Sequence, residues 1–258
     1  MKKSRYSNHY LLLLIVLVLF MSSCDKTDPL PISKADFKIT SIAPEVDVPV
    51  QFENLSLNAA VYAWDFGDGF TDSLTIDPTH TYEDPGSYVV KLTAYTQDGQ
   101  KSESIQDVDV GERYLTGMYI MNINMKDENG DPWDDDGSGP DVLYQLGPQD
   151  ATSLDDLVFV YIDSLNVGQF STPIGISDQD LIPNDYKLLN KDYFILLEEI
   201  DTVNNEAVFT PMADVGFNPV IPEDEFITVT KREDGSGDIT IPFAVIQEFQ
   251  FFLEFEIR

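Results

Sequence analysis

The chain has 258 residues, 43% of them hydrophobic, with 46 acidic against 15 basic side chains and a formal net charge of −31. Such a surface repels nucleic acid and bare anionic lipid, which argues against either as a direct partner. Its self-repulsion also opposes compaction unless cations screen or bind it. A single cysteine and two histidines leave almost no material for disulfides, thiolate catalysis or cysteine zinc sites.

In chain order, Lys2, Lys3 and Arg5 form a basic start, and Leu11 to Met21 is an unbroken apolar run of eleven residues. A membrane-spanning helix needs about 20 apolar residues, so this run has the length of a signal-peptide core. Ser22 and Ser23 then lead into Cys24, the only cysteine. The arrangement resembles a bacterial lipoprotein signal, with Met21 where that family prefers Leu. The resemblance implies a signal peptide over residues 1–23, lipidation at Cys24 and a tether over residues 24–34. It also implies a cell-envelope location, anchored to the outer membrane by acyl chains that each add about 0.8 kcal/mol per buried methylene. An ordinary cleaved signal with an incidental cysteine is the alternative. Removing residues 1–23, with three basic and no acidic residues, takes the formal charge from −31 to −34 and leaves His80 as the only histidine. A histidine-based triad would have to use that one residue.

About 235 residues remain, enough for two domains. Alternation predicts strands over Asp36–Ile39, Val50–Glu53 and Ser87–Thr96, the last with Tyr88, Val90, Leu92 and Ala94 on one face. Phe52, Trp64, Phe66, Tyr88, Val90 and Leu92 are the expected core. Gly67-Asp68-Gly69 reads as a tight turn in which Asp68 bonds backbone amides, so Asp65 and Asp68 read as turn-formers rather than as a catalytic pair. Tyr62-Ala-Trp-Asp-Phe-Gly-Asp-Gly69, Pro78-Thr-His-Thr-Tyr82 and Pro85-Gly-Ser-Tyr-Val-Val90 together resemble the signature of the PKD (polycystic kidney disease) domain. The resemblance implies a seven-stranded, immunoglobulin-like β-sandwich over residues 35–112. It further implies exposure at a cell surface, and structural roles for His80 and Tyr82.

Residues 113–258 also read as β-rich, with strands expected over Leu115–Met125, Leu157–Ile162, Tyr193–Ile200, Phe226–Lys231, Ile239–Ile246 and Phe249–Arg258. A turn is expected at Glu233–Asp238. The fold class is thus all-β, in two tandem domains after a signal peptide, and the resemblances in the two domains imply that each is a β-sandwich. The loop from Asp127 to Asp141 carries seven carboxylates in fifteen residues and no basic residue. Carboxylates crowded this way are either a solvated acidic loop or ligands of a hard divalent cation, which takes six to eight oxygens when it is calcium. Gly137-Ser-Gly-Pro-Asp-Val-Leu-Tyr144, with Asp135 six residues before Asp141, resembles the calcium-binding loop of the C-two family. So does Glu199, Asp201 and Glu206 after a strand, although two of these positions carry Glu for Asp and the last interval is one residue short. The resemblance implies a C-two-like sandwich whose loops share one or two calcium ions among Asp135, Asp141, Glu199, Asp201 and Glu206, with Asp136 in reserve. A rival reading places Asp134, Asp136, Ser138 and Gly139 at EF-hand positions, but Gln145 stands where the bidentate Glu is needed and the flanks are strand-like.

The functional expectation is a non-enzymatic, lipid-anchored surface module, binding or spacing, whose partner is a glycan or another surface protein. The alternative is a carbohydrate-active or other hydrolase domain using two loop carboxylates.

Overall fold

The computed structural model describes residues 31–258 apart from 124, 125, 128, 135–138, 163–173, 177–181 and 244–248. The expected signal segment with Cys24, and the candidate ligands Asp135 and Asp136, therefore lie outside the described residues. The molecule is all-β, and its only helical piece among the described residues is a 3-10 turn at Leu154–Asp156.

The first sandwich has seven strands: β1 (Phe37–Ile39), β2 (Val50–Asn54), β3 (Val61–Asp65), β4 (Thr71–Asp72), β5 (Thr79–His80), β6 (Gly86–Tyr95) and β7 (Lys101–Val110). They form two antiparallel sheets, β1-β2-β5 and β4-β3-β6-β7. Trp64 is the centre of the core between them, edge-on to Phe37 at 5.1 Å and stacked with Phe66 at 6.4 Å. Phe52, Val90 and Leu92 close round it, as expected. Tyr88 is only half-buried, because its hydroxyl donates to the Asp84 carbonyl at 2.7 Å and holds the ring at the rim, stacked on Tyr82. Gly67 has φ +85°, and a Cβ there would stand 2.8 Å from the Val89 carbonyl, so the turn admits only glycine.

The second sandwich holds β8 (Arg113–Asn122), β9 (Val142–Pro148), β10 (Val158–Ile162), β11 (Ile174–Ile176), β12 (Tyr193–Val203), β13 (Glu206–Phe217), β14 (Thr228–Lys231), β15 (Ser236–Phe243) and β16 (Phe249–Ile257). A five-stranded sheet, β11-β8-β16-β15-β14, faces a four-stranded sheet, β10-β9-β12-β13. Alternation sorts the faces. Phe249, Phe251, Leu253 and Phe255 of β16 point inward, as do Val142, Tyr144 and Leu146 of β9. On β12 the inward row is Tyr193, Ile195, Leu197 and then Glu199.

Several boundaries differ from the sequence expectation. The turn before β15 is tighter than Glu233–Asp238: Gly235 has φ +84°, the Asp234 carboxylate accepts from the Ser236 amide at 2.9 Å, and the strand already starts at Ser236. β13 carries no clear alternation because it pairs only with β12 among the described residues, and its first six residues are exposed. Pro211 sits next to a register shift opposite Leu197/Glu198, a place where a strand tolerates proline. β12 runs on to Val203 and turns into β13 through Asn204 and Asn205, both with positive φ. Asparagine accepts that backbone region readily in tight hairpins.

Candidate cation site

The inward row of β12 ends on an acid. Successive strand residues alternate faces, so residue 199 must follow Tyr193, Ile195 and Leu197 into the sandwich, and Asp201 follows it on the same side. Glu199 is 1% exposed. Neither of its carboxylate oxygens has a hydrogen-bond partner among the described residues. An unpaired carboxylate in such a place is expensive unless it is protonated or a cation compensates it.

One other strand and the loop before it bring more carboxylates to this end. β9 pairs with β12 up to Val142 opposite Glu199, and the Ile200 amide then donates to the Asp141 carbonyl at 2.8 Å. That bond fixes Asp141 at the mouth, where its side chain accepts from the Tyr161 hydroxyl at 3.1 Å. The preceding loop is shaped by Asp127, whose carboxylate accepts from the amides of Asn129 at 2.9 Å and Asp131 at 2.8 Å. Gly130 turns the chain at φ +84°, and Lys126 bridges to Pro132. Trp133 then packs half-buried against the core, which carries the next residue, Asp134, to the site. Asp134, Glu199 and Asp201 each offer an oxygen within 4.8 Å of the others.

The electrostatics follow from this crowding. Burial pushes the Glu199 carboxyl up to about 7, and the neighbouring charge of Asp134 adds to the shift. The Asp141 backbone pulls the other way, and the charges of Asp201 and Asp141 add a little more. An all-oxygen, partly buried cluster suits a hard cation with flexible coordination, as calcium is, better than zinc or copper.

Of the residues expected at the site, Glu199 and Asp201 are brought together, and Asp141 stands beside them. Glu206 begins β13 across the hairpin from Val203, is exposed, and is not among the three gathered carboxylates. Asp134 was counted only within the acidic loop and the EF-hand alternative. The signal for it was Trp133, an apolar anchor in an otherwise polar stretch.

In the first sandwich, Asp65 and Asp68 each cap the turn, accepting from the amides of Gly67 at 3.2 Å and Phe70 at 3.0 Å. Asp68 also meets His80 Nε2 at 2.5 Å, and the His80 ring stacks on Phe66 at 4.2 Å. The Tyr82 hydroxyl donates to the Phe66 carbonyl at 3.1 Å, within the core. These contacts give His80 and Tyr82 packing roles.

Residues 31–110 match the family model of the PKD domain. Collagenase ColQ1 of Bacillus cereus (strain Q1) is 46% identical over 55 residues, which are 21% of this chain and 6% of the collagenase. This chain therefore spans only a small part of that relative. Among solved structures, the PKD1 domain of Vibrio anguillarum Epp is 26% identical, with 32% of this chain and 96% of that one covered and a TM-score of 0.29. The PKD1 domain of the Vibrio cholerae metalloprotease PrtV is 30% identical, covering 31% and 98%, with a TM-score of 0.28. A structure of carbohydrate-binding modules from the β-sandwich superfamily is 14% identical, covering 89% and 92%, with a TM-score of 0.31.

Proposed function

We propose that this chain, with a PKD domain at residues 31–110, is a non-enzymatic binding module of the cell envelope whose second sandwich is organised by calcium. The observation that carries the reading is Glu199, buried and unpartnered beside Asp134 and Asp201. A cation there would be held by Asp134, Glu199 and Asp201, with Asp141 adjoining, and would tie the 127–134 loop to the end of β12. Asp135 and Asp136, ligands expected from the sequence alone, lie outside the described residues. Extracellular calcium sites commonly bind at about 10⁻⁴ to 10⁻³ M, which suits a structural ion.

Catalysis fits the same residues poorly. A carboxyl of raised pKa is what a glycosidase acid needs, but the acid must also reach its substrate, and Glu199 is 1% exposed. The partner class that fits is a glycan. On the outer face of β10, Phe159 and Tyr161 present rings that are 36% and 55% exposed. Beside them Gln145 donates to Glu198 at 2.7 Å, and Tyr161 is tied to Asp141 at the cation site. Stacking surface flanked by fixed polar groups is what a sugar ring requires. Lipidation at Cys24 would hold the module to the outer membrane.

The test is a thermal melt of the full chain in detergent with calcium, with magnesium or with chelator. A ligand that binds only the folded state stabilises it by about 2.7 kcal/mol at a hundredfold excess over Kd. The reading expects the transition of the second sandwich to rise with calcium, to rise less with magnesium, and to lose both responses in the Asp134→Asn/Asp201→Asn double variant. A melt indifferent to calcium overturns the cation reading. Glycan-array binding in calcium, lost in Tyr161→Ala, tests the partner class.

A further inference from the structure

The two sandwiches meet without a free linker. The Gly111 amide donates to the Pro44 carbonyl at 3.0 Å, and the Val46 amide donates back to the Gly111 carbonyl at 3.0 Å. One residue on, Glu112 and Arg258 exchange backbone bonds at 2.9 and 3.1 Å. A Cβ on Gly111 would stand 2.6 Å from Ile257 Cγ2 and 3.0 Å from the Arg258 carbonyl, so the connection is pressed against the last strand. The 44–47 loop of the first sandwich is thus stitched to the start and end of the second.

Glu45 lies at the centre of this seam. Its Oε2 accepts from Arg113 Nε at 3.0 Å, and its Oε1 accepts from Arg113 Nη2 at 2.7 Å and from Lys231 Nζ at 2.6 Å. The side chains of Glu45 and Arg113 are 2% and 1% exposed. The Arg113 guanidinium lies 4.0 Å over the Phe255 ring, and its third nitrogen donates to the Pro219 carbonyl. One carboxylate of the first sandwich therefore plugs a socket with two cations built by β8, β14 and β16 of the second. A buried ion pair adds little net stability against a hydrophobic replacement, but removing one partner leaves an uncompensated charge. Its geometric demand, with a planar fork on a planar carboxylate, penalises every other orientation.

The orientation it selects has a direction. In the β6–β7 hairpin, Gly86 pairs with Val110 at the seam, while Tyr95 pairs with Lys101 at the other end, where the Ala60 amide bonds the Tyr95 carbonyl. In β12, Tyr193 lies toward the seam, near Asn190, whose amide donates to the Asp47 carbonyl at 3.3 Å, and Glu199 lies at the far end. At about 3.3 Å per residue, β6 contributes about 30 Å and the Tyr193–Glu199 segment about 20 Å.

We propose that Glu45 locks the two sandwiches into one rigid strut that presents the Glu199 end of the second sandwich away from the end of the first where β6 turns into β7. This inference stands apart from the cation reading, since it concerns where that end is held and not what it binds. The test is pulsed dipolar spectroscopy on the full chain, with Cys24→Ser and spin labels at Gln97→Cys and Thr202→Cys, both exposed positions. A single narrow distance distribution is expected in that background. Both Glu45→Ala and Glu45→Gln should widen it at least twofold, whereas Glu53→Gln, at an exposed ion pair with Lys38, should leave it unchanged. Glu45→Gln keeps the side-chain shape and decides the matter where the alanine variant does not fold. A broad distribution in the Cys24→Ser background with Glu45 intact, or one that stays narrow in Glu45→Gln, overturns the proposal. The calcium melt of the same variants is expected to be unaltered, so a failed lock and a failed cation site give different results.

Discussion

Replacing Glu199 with methionine should stabilise the calcium-free protein while abolishing its response to calcium. Methionine is unbranched and of similar length, and it continues the inward row of Tyr193, Ile195 and Leu197 without leaving a buried amide unsatisfied. The magnitude follows from the carboxyl's shift from 4.5 to about 7, which is about 3 kcal/mol of penalty on the ionised form. The sign runs with pH. The folded state holds its proton more tightly than the unfolded state, so stability is greatest below the ordinary carboxylate value and falls between pH 4.5 and 7. It is then flat. In chelator at pH 8, Glu199→Met should therefore exceed the wild type by about 3 kcal/mol, or a melting rise of about 6–12 °C for a domain of this size. At pH 4.5 the electrostatic part of the gain should vanish. The assay is a pair of calorimetric scans in chelator at the two pH values, with a third in excess calcium. A variant less stable than wild type in chelator at pH 8 would refute the reasoning, because Glu199 would then be making favourable contacts that its orphaned oxygens deny.

Trp133→Ala should weaken calcium binding severalfold while every carboxylate stays in place, since the ring is what seats Asp134; isothermal titration with calcium measures it. Asp68 sits below the ordinary carboxylate range: burial opposes the shift, and the hydrogen bonds its carboxylate accepts from His80 and from the Phe70 amide together outweigh it. Its contribution is complete above the unfolded carboxylate value of about 4 and is lost as pH falls through the lower folded value. Asp68→Asn should therefore cost the first sandwich about 1–2 kcal/mol at neutral pH and flatten its acid unfolding, followed by Trp64 fluorescence. Gly237→Ala should be among the most damaging small changes in the second sandwich. Its Cβ would meet the Thr230 carbonyl at 2.4 Å and the Phe255 ring at 2.1 Å, and denaturant unfolding should show a loss of about 3 kcal/mol or more.

The first sandwich was largely legible because its strands alternate and its turn residues are forced. Trp64, Phe66 and Leu92 fall inward by parity, and Gly67 occupies a backbone region closed to other residues. β13 was not legible. An edge strand with exposed neighbours is free to place Pro211, Asp214 and Gly216 where a central strand would not, so no period of two survives in it. β9 was visible only as the apolar continuation of an acidic motif. The acidic end was half legible: the spacing of Glu199 and Asp201 put both on one face, whereas Asp134 reaches them through the packing of Trp133, whose apolar ring in a polar stretch marks an anchor without saying what it packs against. The Glu45–Arg113 seam joins residues 68 positions apart, and nothing near either residue marks it.

The two buried acids, Glu45 and Glu199, show why burial alone does not reveal what a carboxylate is for. Both are almost fully enclosed, at 2% and 1% exposure. Glu45 meets two side-chain cations supplied by the chain itself, and its charge is balanced as the protein folds. Glu199 has no hydrogen-bond partner among the described residues, and the charges that act on it most are those of Asp134, Asp201 and Asp141, in a chain with 46 acidic and 15 basic residues. A sequence this acidic has cations to spare for few positions. Two of them, Arg113 and Lys231, go to Glu45 at the seam, where a fixed internal partner sets geometry, while Glu199 sits among the carboxylates of Asp134 and Asp201. In the proposed reading, the far end of the second sandwich would be compensated from its surroundings, by a proton at low pH or by calcium where calcium is abundant. The same acidity that argues against nucleic acid as a partner thus makes an external cation the natural complement of β12, and the Glu199→Met variant would uncouple the two.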